Sequence, residues 1–99
     1  DKGFDCSGLV VFTHARAGIQ VPRKALDQFS HGLRVAADDL KPADLVFFKT
    51  PGRKKAFHVG IYTGNREFIH APGRGRTVSR ARLDNPYFKK HFMGARTFL

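Results

Sequence analysis

The single cysteine of this chain lies where a nucleophile could be built. Cys6 stands in the segment Asp5-Cys6-Ser7-Gly8, which runs directly into apolar residues that would begin a helix. A thiol at a helix start feels the positive end of the helix dipole and the unpaired backbone N–H groups, and both favour the thiolate. The position of Cys6 therefore predicts an activated thiol rather than an inert core residue.

Two histidines on strand-like stretches are candidates for the base that such a thiol needs. His58 begins the run His-Val-Gly-Ile-Tyr, and His70 lies in Phe-Ile-His-Ala. An imidazole beside a thiol can take its proton, and a third polar group can hold that imidazole in the required tautomer. Together with Cys6, these residues predict a cysteine hydrolase.

The elements that would carry these residues are helices first and strands afterwards. This order indicates an α+β fold in which the helix that bears Cys6, with Asp5 as its N-cap, packs on an antiparallel sheet. The predicted helices cover residues 6–17, 24–30 and 85–92, and a loop is expected over residues 51–55. The predicted strands cover residues 45–48, 58–63, 67–71 and 77–80, with a closing edge strand at 95–99.

The alternation of side chains along the predicted hairpin decides whether the two imidazoles can meet. A strict two-residue turn at Gly64-Asn65 would place His58 and His70 on opposite faces of the sheet. A three-residue loop or a bulge would return them to one face, as direct or diagonal neighbours on adjacent strands. The proposed chemistry requires such a loop or bulge, and we predict one here.

Length and composition indicate one globular domain over residues 1–99, with 41% hydrophobic residues and 10 phenylalanines to build its core. No apolar run approaches the length that crosses a membrane. One cysteine cannot form an intrachain disulfide. The histidine spacings do not match those of zinc ligands, and we expect no metal and no cofactor. Because the chain begins so close to Cys6, we expect that an upstream segment is missing.

The formal charge of +10 favours anionic partners, such as acidic envelope polymers, anionic lipid or nucleic acid, although solubility alone explains it equally well. The aromatic residues lie mostly in apolar runs and are not interleaved with basic residues. Specific nucleic-acid binding is therefore not expected. The sequence does not indicate an oligomeric state.

Five segments in order give the chain a resemblance to a known family: Asp-Cys-Ser-Gly-Leu-Val, Val-Pro-Arg, Ala-Asp-Leu-Val-Phe-Phe, His-Val-Gly-Ile-Tyr and Phe-Ile-His-Ala-Pro. This set resembles the motifs of the NlpC/P60 cysteine peptidases, and the match extends over essentially the whole chain. The resemblance implies a papain-like core and cleavage of peptides of bacterial peptidoglycan. It implies that Cys6 is the nucleophile, His58 the base and His70 the residue that orients His58, with the Cys6 N–H as an oxyanion donor.

The same resemblance suggests residues that would contact a substrate. Asp5 and Ser7 occupy positions that help to hold a substrate amino group in family members. Arg23 is either a ligand for a carboxylate of the stem peptide or a solvated loop arginine. Asp44 follows alanine where the family usually has glycine, and we interpret it as a residue that organises the turn. In the family a tyrosine upstream of these motifs contributes to the oxyanion site; since this sequence begins at Asp1, we expect that part of the pocket to be missing or supplied elsewhere.

The sequence does not decide which peptide bond is cut, and it leaves alternative functions open. The bond cut is left open between the stem peptide and its cross-links, and the tail after Asn85 resembles that of Gram-negative lipoproteins of the family. This resemblance implies a periplasmic or secreted enzyme of the cell envelope, and it leaves open a lipid anchor on a missing N-terminal segment. Alternatives are an inactive basic module that binds anionic wall polymer, or a papain-like acyltransferase, which the order of cysteine before histidine disfavours. His14, His31 and His91 are expected on the surface or on helix faces.

Overall fold

A computed structural model of the protein describes residues 5–50, 57–71 and 77–99. The predicted loop at residues 51–55 lies outside the described residues. The helices are α1 (Cys6–Arg16), α2 (Ala25–His31) and α3 (Pro86–His91), with a single 3-10 turn at Ala37–Asp39 among the described residues. The strands are β1 (Leu33–Val35), β2 (Leu45–Lys49), β3 (Phe57–Gly64), β4 (Glu67–His70), β5 (Ser79–Arg82) and β6 (Phe92–Thr97). They form one antiparallel sheet in the order β1-β6-β2-β3-β4-β5, which confirms the α+β prediction.

The first helix begins where its capping residue predicts. The carboxylate of Asp5 accepts a hydrogen bond from the backbone N–H of Gly8 at 2.8 Å, so Asp5 is the N-cap and Cys6 the first helical residue. One face of α1 carries the buried residues Leu9 and Val10, and this face packs on β3. The burial of that apolar face anchors the thiol end of α1 over the middle of the sheet.

The sheet is covered on both faces, and β2 lies at its centre. Its side chains are buried in both directions because successive residues of a strand point to opposite faces. Leu45 and Phe47 join the core under α1 and α2, whereas Val46 and Phe48 join a second core that includes Phe88 of α3. The strand that carries His58 therefore lies beside a strand whose first four residues are buried.

The hairpin of β3 and β4 contains the predicted bulge. Ile61 pairs with Ile69, but the register shifts before Gly64 pairs with Glu67, so that Thr63 is the extra residue. The turn itself is Asn65-Arg66, both with positive φ (54° and 63°), as in the tight turns that suit the twist of a hairpin. The bulge places His58 and His70 on one face of the sheet as diagonal neighbours, as predicted.

The last strand differs from the prediction. β6 begins at Phe92 and lies between β1 and β2, inside the sheet, whereas we expected an edge strand at 95–99. The edges are β5 and the three-residue β1, a strand that the sequence pattern did not indicate. Since β1 has only three residues, its alternation of Leu33, Arg34 and Val35 is too short to identify a strand. None of the helices in the described ranges has both the length and the apolar character needed to span a bilayer.

Candidate active site

Cys6 is half-buried at the start of α1, and its surroundings act on the thiol in opposite directions. The backbone amides of Val59, Ser7 and Cys6 itself lower the pKa of the thiol, as expected for a helix start. Burial and the negative charge of Asp5 raise that pKa, and burial is the largest effect, so the pKa of Cys6 lies above its ordinary value. The sequence spacing indicates the helix dipole, which favours the thiolate, but not the burial, which favours the neutral thiol.

The amide of Val59 connects the thiol to the strand that bears the imidazole. The pairs of β3 with β4 run from Gly64↔Glu67 to Ile61↔Ile69, and Val59 lies beyond the last of them. Its amide lies close enough to the sulfur of Cys6 to lower the pKa of the thiol. Because Val59 directly follows His58, the first turn of α1 is placed beside the residue that the sequence predicted as the base.

His58 and His70 form a hydrogen-bonded pair. Nε2 of His58 lies 2.7 Å from Nδ1 of His70, and the rings meet edge to face with centroids 4.9 Å apart. One N–H must lie between these two nitrogens, so one ring donates and the other accepts. When His58 is the donor, its Nδ1 carries a free lone pair, which is the state that a base requires.

Burial keeps both rings neutral near pH 7. Burial, assisted by the charge of His70, lowers the pKa of His58 to about 4. Burial also lowers the pKa of His70. Together with the raised pKa of Cys6, these shifts describe a resting site with a neutral thiol and a neutral imidazole. A proton would then leave the sulfur during attack rather than beforehand.

Arg23 is fastened to the two residues that flank Cys6. Its guanidinium donates to both carboxylate oxygens of Asp5 at 3.1 Å and to the hydroxyl of Ser7 at 2.8 Å. The sequence left Arg23 as a carboxylate ligand or a solvated arginine, and the structure adds contacts with two neighbouring side chains. Its side chain is 58% exposed, yet both terminal nitrogens are engaged within the protein. Asp5 thus caps the helix and pairs with Arg23 at once.

Gln28 supports the same cluster, and the sequence analysis missed it. It is completely buried, and its side-chain N–H groups donate to the carbonyls of Pro22 (2.8 Å) and Ser7 (3.2 Å). These bonds join the loop that carries Arg23 to the first turn of α1. A glutamine on a short helix gives no sequence signal of this kind, since its burial depends on how α2 packs.

Asp44 and His14 lie in buried positions where their side chains bond to the backbone of nearby residues. Asp44 is buried and accepts from the backbone N–H of Lys41 at 2.9 Å, which confirms that it organises the turn before β2. His14 lies on α1 but is buried rather than on the surface, with Nδ1 facing the carbonyl of Val10. Across residues 5–50, 57–71 and 77–99, no three His, Cys, Asp or Glu side chains are grouped so as to hold a metal ion.

Comparison with known proteins identifies the family of this chain. The model of the NlpC/P60 family matches residues 1–97. The probable endopeptidase NlpC of Escherichia coli (strain K12) is 47% identical over 96 residues, covering 96% of this chain and 62% of that protein. The murein DD-endopeptidase MepH of the same organism is 43% identical over 99 residues, covering 95% of this chain and 36% of that protein. The chain thus spans less than two thirds of either relative.

A solved structure shares the fold. The crystal structure of an NlpC/P60 family protein from Bacillus cereus ATCC 10987 superposes with a TM-score of 0.87 at 35% identity. The match covers 98% of this chain and 32% of that one.

Proposed function

Because this chain belongs to the NlpC/P60 family, we propose that it is a cysteine endopeptidase that hydrolyses peptide bonds of peptidoglycan. Cys6 would be the nucleophile, His58 the base and His70 the residue that orients His58. Residues 1–99 would form one catalytic domain. The names of the E. coli relatives, a probable endopeptidase and a murein DD-endopeptidase, support the reaction and the substrate.

The observation that carries the proposal is the 2.7 Å hydrogen bond between Nε2 of His58 and Nδ1 of His70. It occupies one nitrogen of His58 and leaves Nδ1 for a thiol proton. The amide of Val59, the next residue, lies at the sulfur of Cys6. These two contacts support a site in which a nucleophile, a base and an orienting group act together, which is the arrangement that acyl transfer needs.

The reaction follows from these positions. The sulfur of Cys6 attacks the scissile carbonyl carbon while its proton passes to Nδ1 of His58. The C–N bond then breaks, and His58 returns the proton to the leaving amine, which leaves a thioester on Cys6. A water molecule attacks the thioester carbon, and His58 takes a proton from that water. Collapse of the second intermediate releases the acid product, and the thiol recovers its proton.

The charge that develops on the carbonyl oxygen needs donors near the sulfur. The backbone N–H of Cys6 is our candidate, and the amides around the sulfur supply the local positive potential. Loss of one such donor raises a barrier by about 3 kcal/mol in comparable sites. Asp5 and Ser7 would contact the substrate amino group while Arg23 holds both in place, so Arg23 acts through them rather than on a substrate carboxylate.

The proposed substrate also gives a proposed place. A peptidoglycan hydrolase acts in the bacterial cell envelope, as a periplasmic or secreted protein. The formal charge of +10 would assist its approach to the anionic polymers of the wall or to lipid. The same charge favours the second candidate function, a basic module that binds such polymer without cleaving it.

One experiment separates the two candidates. The protein is incubated with purified muropeptides and the products are identified by mass spectrometry, which also reveals the bond that is cut. Cys6→Ser should abolish product formation. His58→Ala should reduce it by about 10²- to 10⁴-fold, the usual contribution of a general base. His70→Ala should reduce it less, because His70 acts through His58.

The control is His31→Ala, since His31 lies exposed on α2 and its Nδ1 meets the carbonyl of Asp27 in the same helix. It should leave the rate unchanged. No product from folded wild-type protein, together with retained binding to intact sacculi, would contradict hydrolysis and support the binding module.

A further inference from the structure

We infer that Phe88, on the short helix α3, is a positioning residue for the imidazole pair. Its ring holds His70 in place and closes the site on the side of the sheet away from α1. This inference rests on the proposed catalytic roles of His58 and His70.

The contacts of Phe88 carry the inference. Its ring meets the imidazole of His70 edge to face, with centroids 5.6 Å apart at 81°. Its ring centroid also lies 5.1 Å from that of Phe68 and 5.0 Å from that of Phe48. Phe68 in turn contacts His70 at 5.3 Å, and Phe48 lies 6.4 Å from His58. Both imidazoles therefore pack on one cluster of aromatic rings. Phe88 is the ring that α3 adds to this cluster.

Helix α3 is built to deliver this ring. Asn85 caps it, accepting from the backbone N–H of Tyr87 at 2.9 Å, and Pro86 supplies a first residue with a suitable φ. The two consecutive aromatic side chains of this helix have different surroundings. Tyr87 is 49% exposed, whereas Phe88 packs into the core with Phe48 and Phe68. A six-residue helix with so little burial of its own is held to the sheet chiefly by this ring.

The consequence of the cluster is that water is kept from the imidazoles. Burial is the largest cause of the lowered pKa of His58, and the charge of His70 is the second. The ionisable side chains on the described elements around the pair include Asp5, Cys6, Lys49, Lys89, Lys90 and His91. Opening the aromatic cover should therefore raise the pKa of His58 toward its ordinary value.

The test is a pH titration of the imidazole Cε1–H signals by NMR. In the wild-type protein His58 should titrate with a midpoint near 4. In Phe88→Leu, which removes the ring edge but stays apolar, the midpoint of His58 should rise by about one unit or more as water enters. His70 should titrate higher as well. Phe88→Met, whose flexible side chain fills irregular gaps in a core, replaces this variant if it does not fold.

The matched control is Phe92→Leu. Phe92 belongs to the same core and contacts Phe48 at 6.0 Å, but no ring contact joins it to either described imidazole. It should leave both midpoints unchanged. Unchanged midpoints in folded Phe88→Leu would overturn the inference, and so would equal shifts in Phe92→Leu, which would indicate general loosening. The readout needs no substrate, so shifted midpoints without muropeptide cleavage would overturn the proposed function alone.

Discussion

Gly60 lies directly against the ring of Phe68, and the contact leaves no room for a side chain at position 60. A Cβ there would come within 2.5 Å of Cδ2 of Phe68 and 3.0 Å of the carbonyl oxygen of Ile69. Phe68 is completely buried and contacts His70, so its ring cannot move freely. The absence of a side chain between His58 and Tyr62 is thus part of what fixes the imidazole pair.

Gly60→Ala should destabilise the protein by about 1–3 kcal/mol, the usual cost of adding volume to a packed core. Urea unfolding at pH 7.5 measures the free energy of unfolding. Phe68→Leu should relieve the clash, so the double variant should lose less stability than the sum of the single variants. Additive losses would show that the ring does not oppose the new Cβ.

Ala43 adopts a backbone conformation that glycine prefers. Its φ is 80°, in the left-handed region, and its N–H donates to the carbonyl of Tyr62 at 2.9 Å. An L-residue in this region costs about 1–2 kcal/mol, which exceeds the entropic cost of glycine, about 0.5–1 kcal/mol. Ala43→Gly should therefore stabilise the fold by up to about 1 kcal/mol in a denaturant titration.

The control for Ala43 is an alanine with ordinary helical geometry. Ala15→Gly, on the exposed side of α1, should destabilise by about 1 kcal/mol. The same substitution would then raise the free energy of unfolding at position 43 and lower it at position 15. A loss of stability in Ala43→Gly would show that the strain at this turn is smaller than the entropy that glycine adds to the unfolded chain.

Features set by neighbouring residues could be predicted from the sequence, whereas those set by distant packing could not. The Asp5 cap and the bulge at Thr63 follow from a few adjacent residues and from side-chain alternation. The interior place of β6 depends on pairing with β1 and β2, far away in the chain. The role of Gln28 and the raised pKa of Cys6 depend on burial, which no local pattern expresses.

The neutral imidazole of His58 makes the stability of the protein sensitive to acid. Its pKa is lowered to about 4 in the folded protein, whereas an unfolded histidine titrates near 6.5. Between these pH values the unfolded chain binds more protons than the folded one, so the free energy of unfolding rises with pH. Protonation of His58 alone should lower the free energy of unfolding by about 3 kcal/mol as the pH drops from above 6.5 to 4.

Denaturant unfolding from pH 7.5 to 4.5 measures this dependence. The Asp5–Arg23 pair and other carboxylates also respond to acid, so the comparison with His58→Gln isolates the imidazole. Glutamine keeps a polar group in place but does not titrate. The variant should lose stability less steeply over this range, and identical slopes would contradict a buried neutral His58.

The pH dependence of thiol alkylation tests the state of Cys6 in the resting protein. Because only the thiolate reacts, the midpoint of the iodoacetamide rate reports the pKa of the thiol. Burial raises that pKa, so the folded protein should react with a higher midpoint than the same chain unfolded in urea. Asp5→Asn, which keeps a capping side chain but removes the negative charge that raises the pKa of Cys6, should lower the midpoint. A midpoint in the folded protein well below that of the unfolded chain would mean that the imidazole already holds the proton in an ion pair, and attack would then begin from the thiolate.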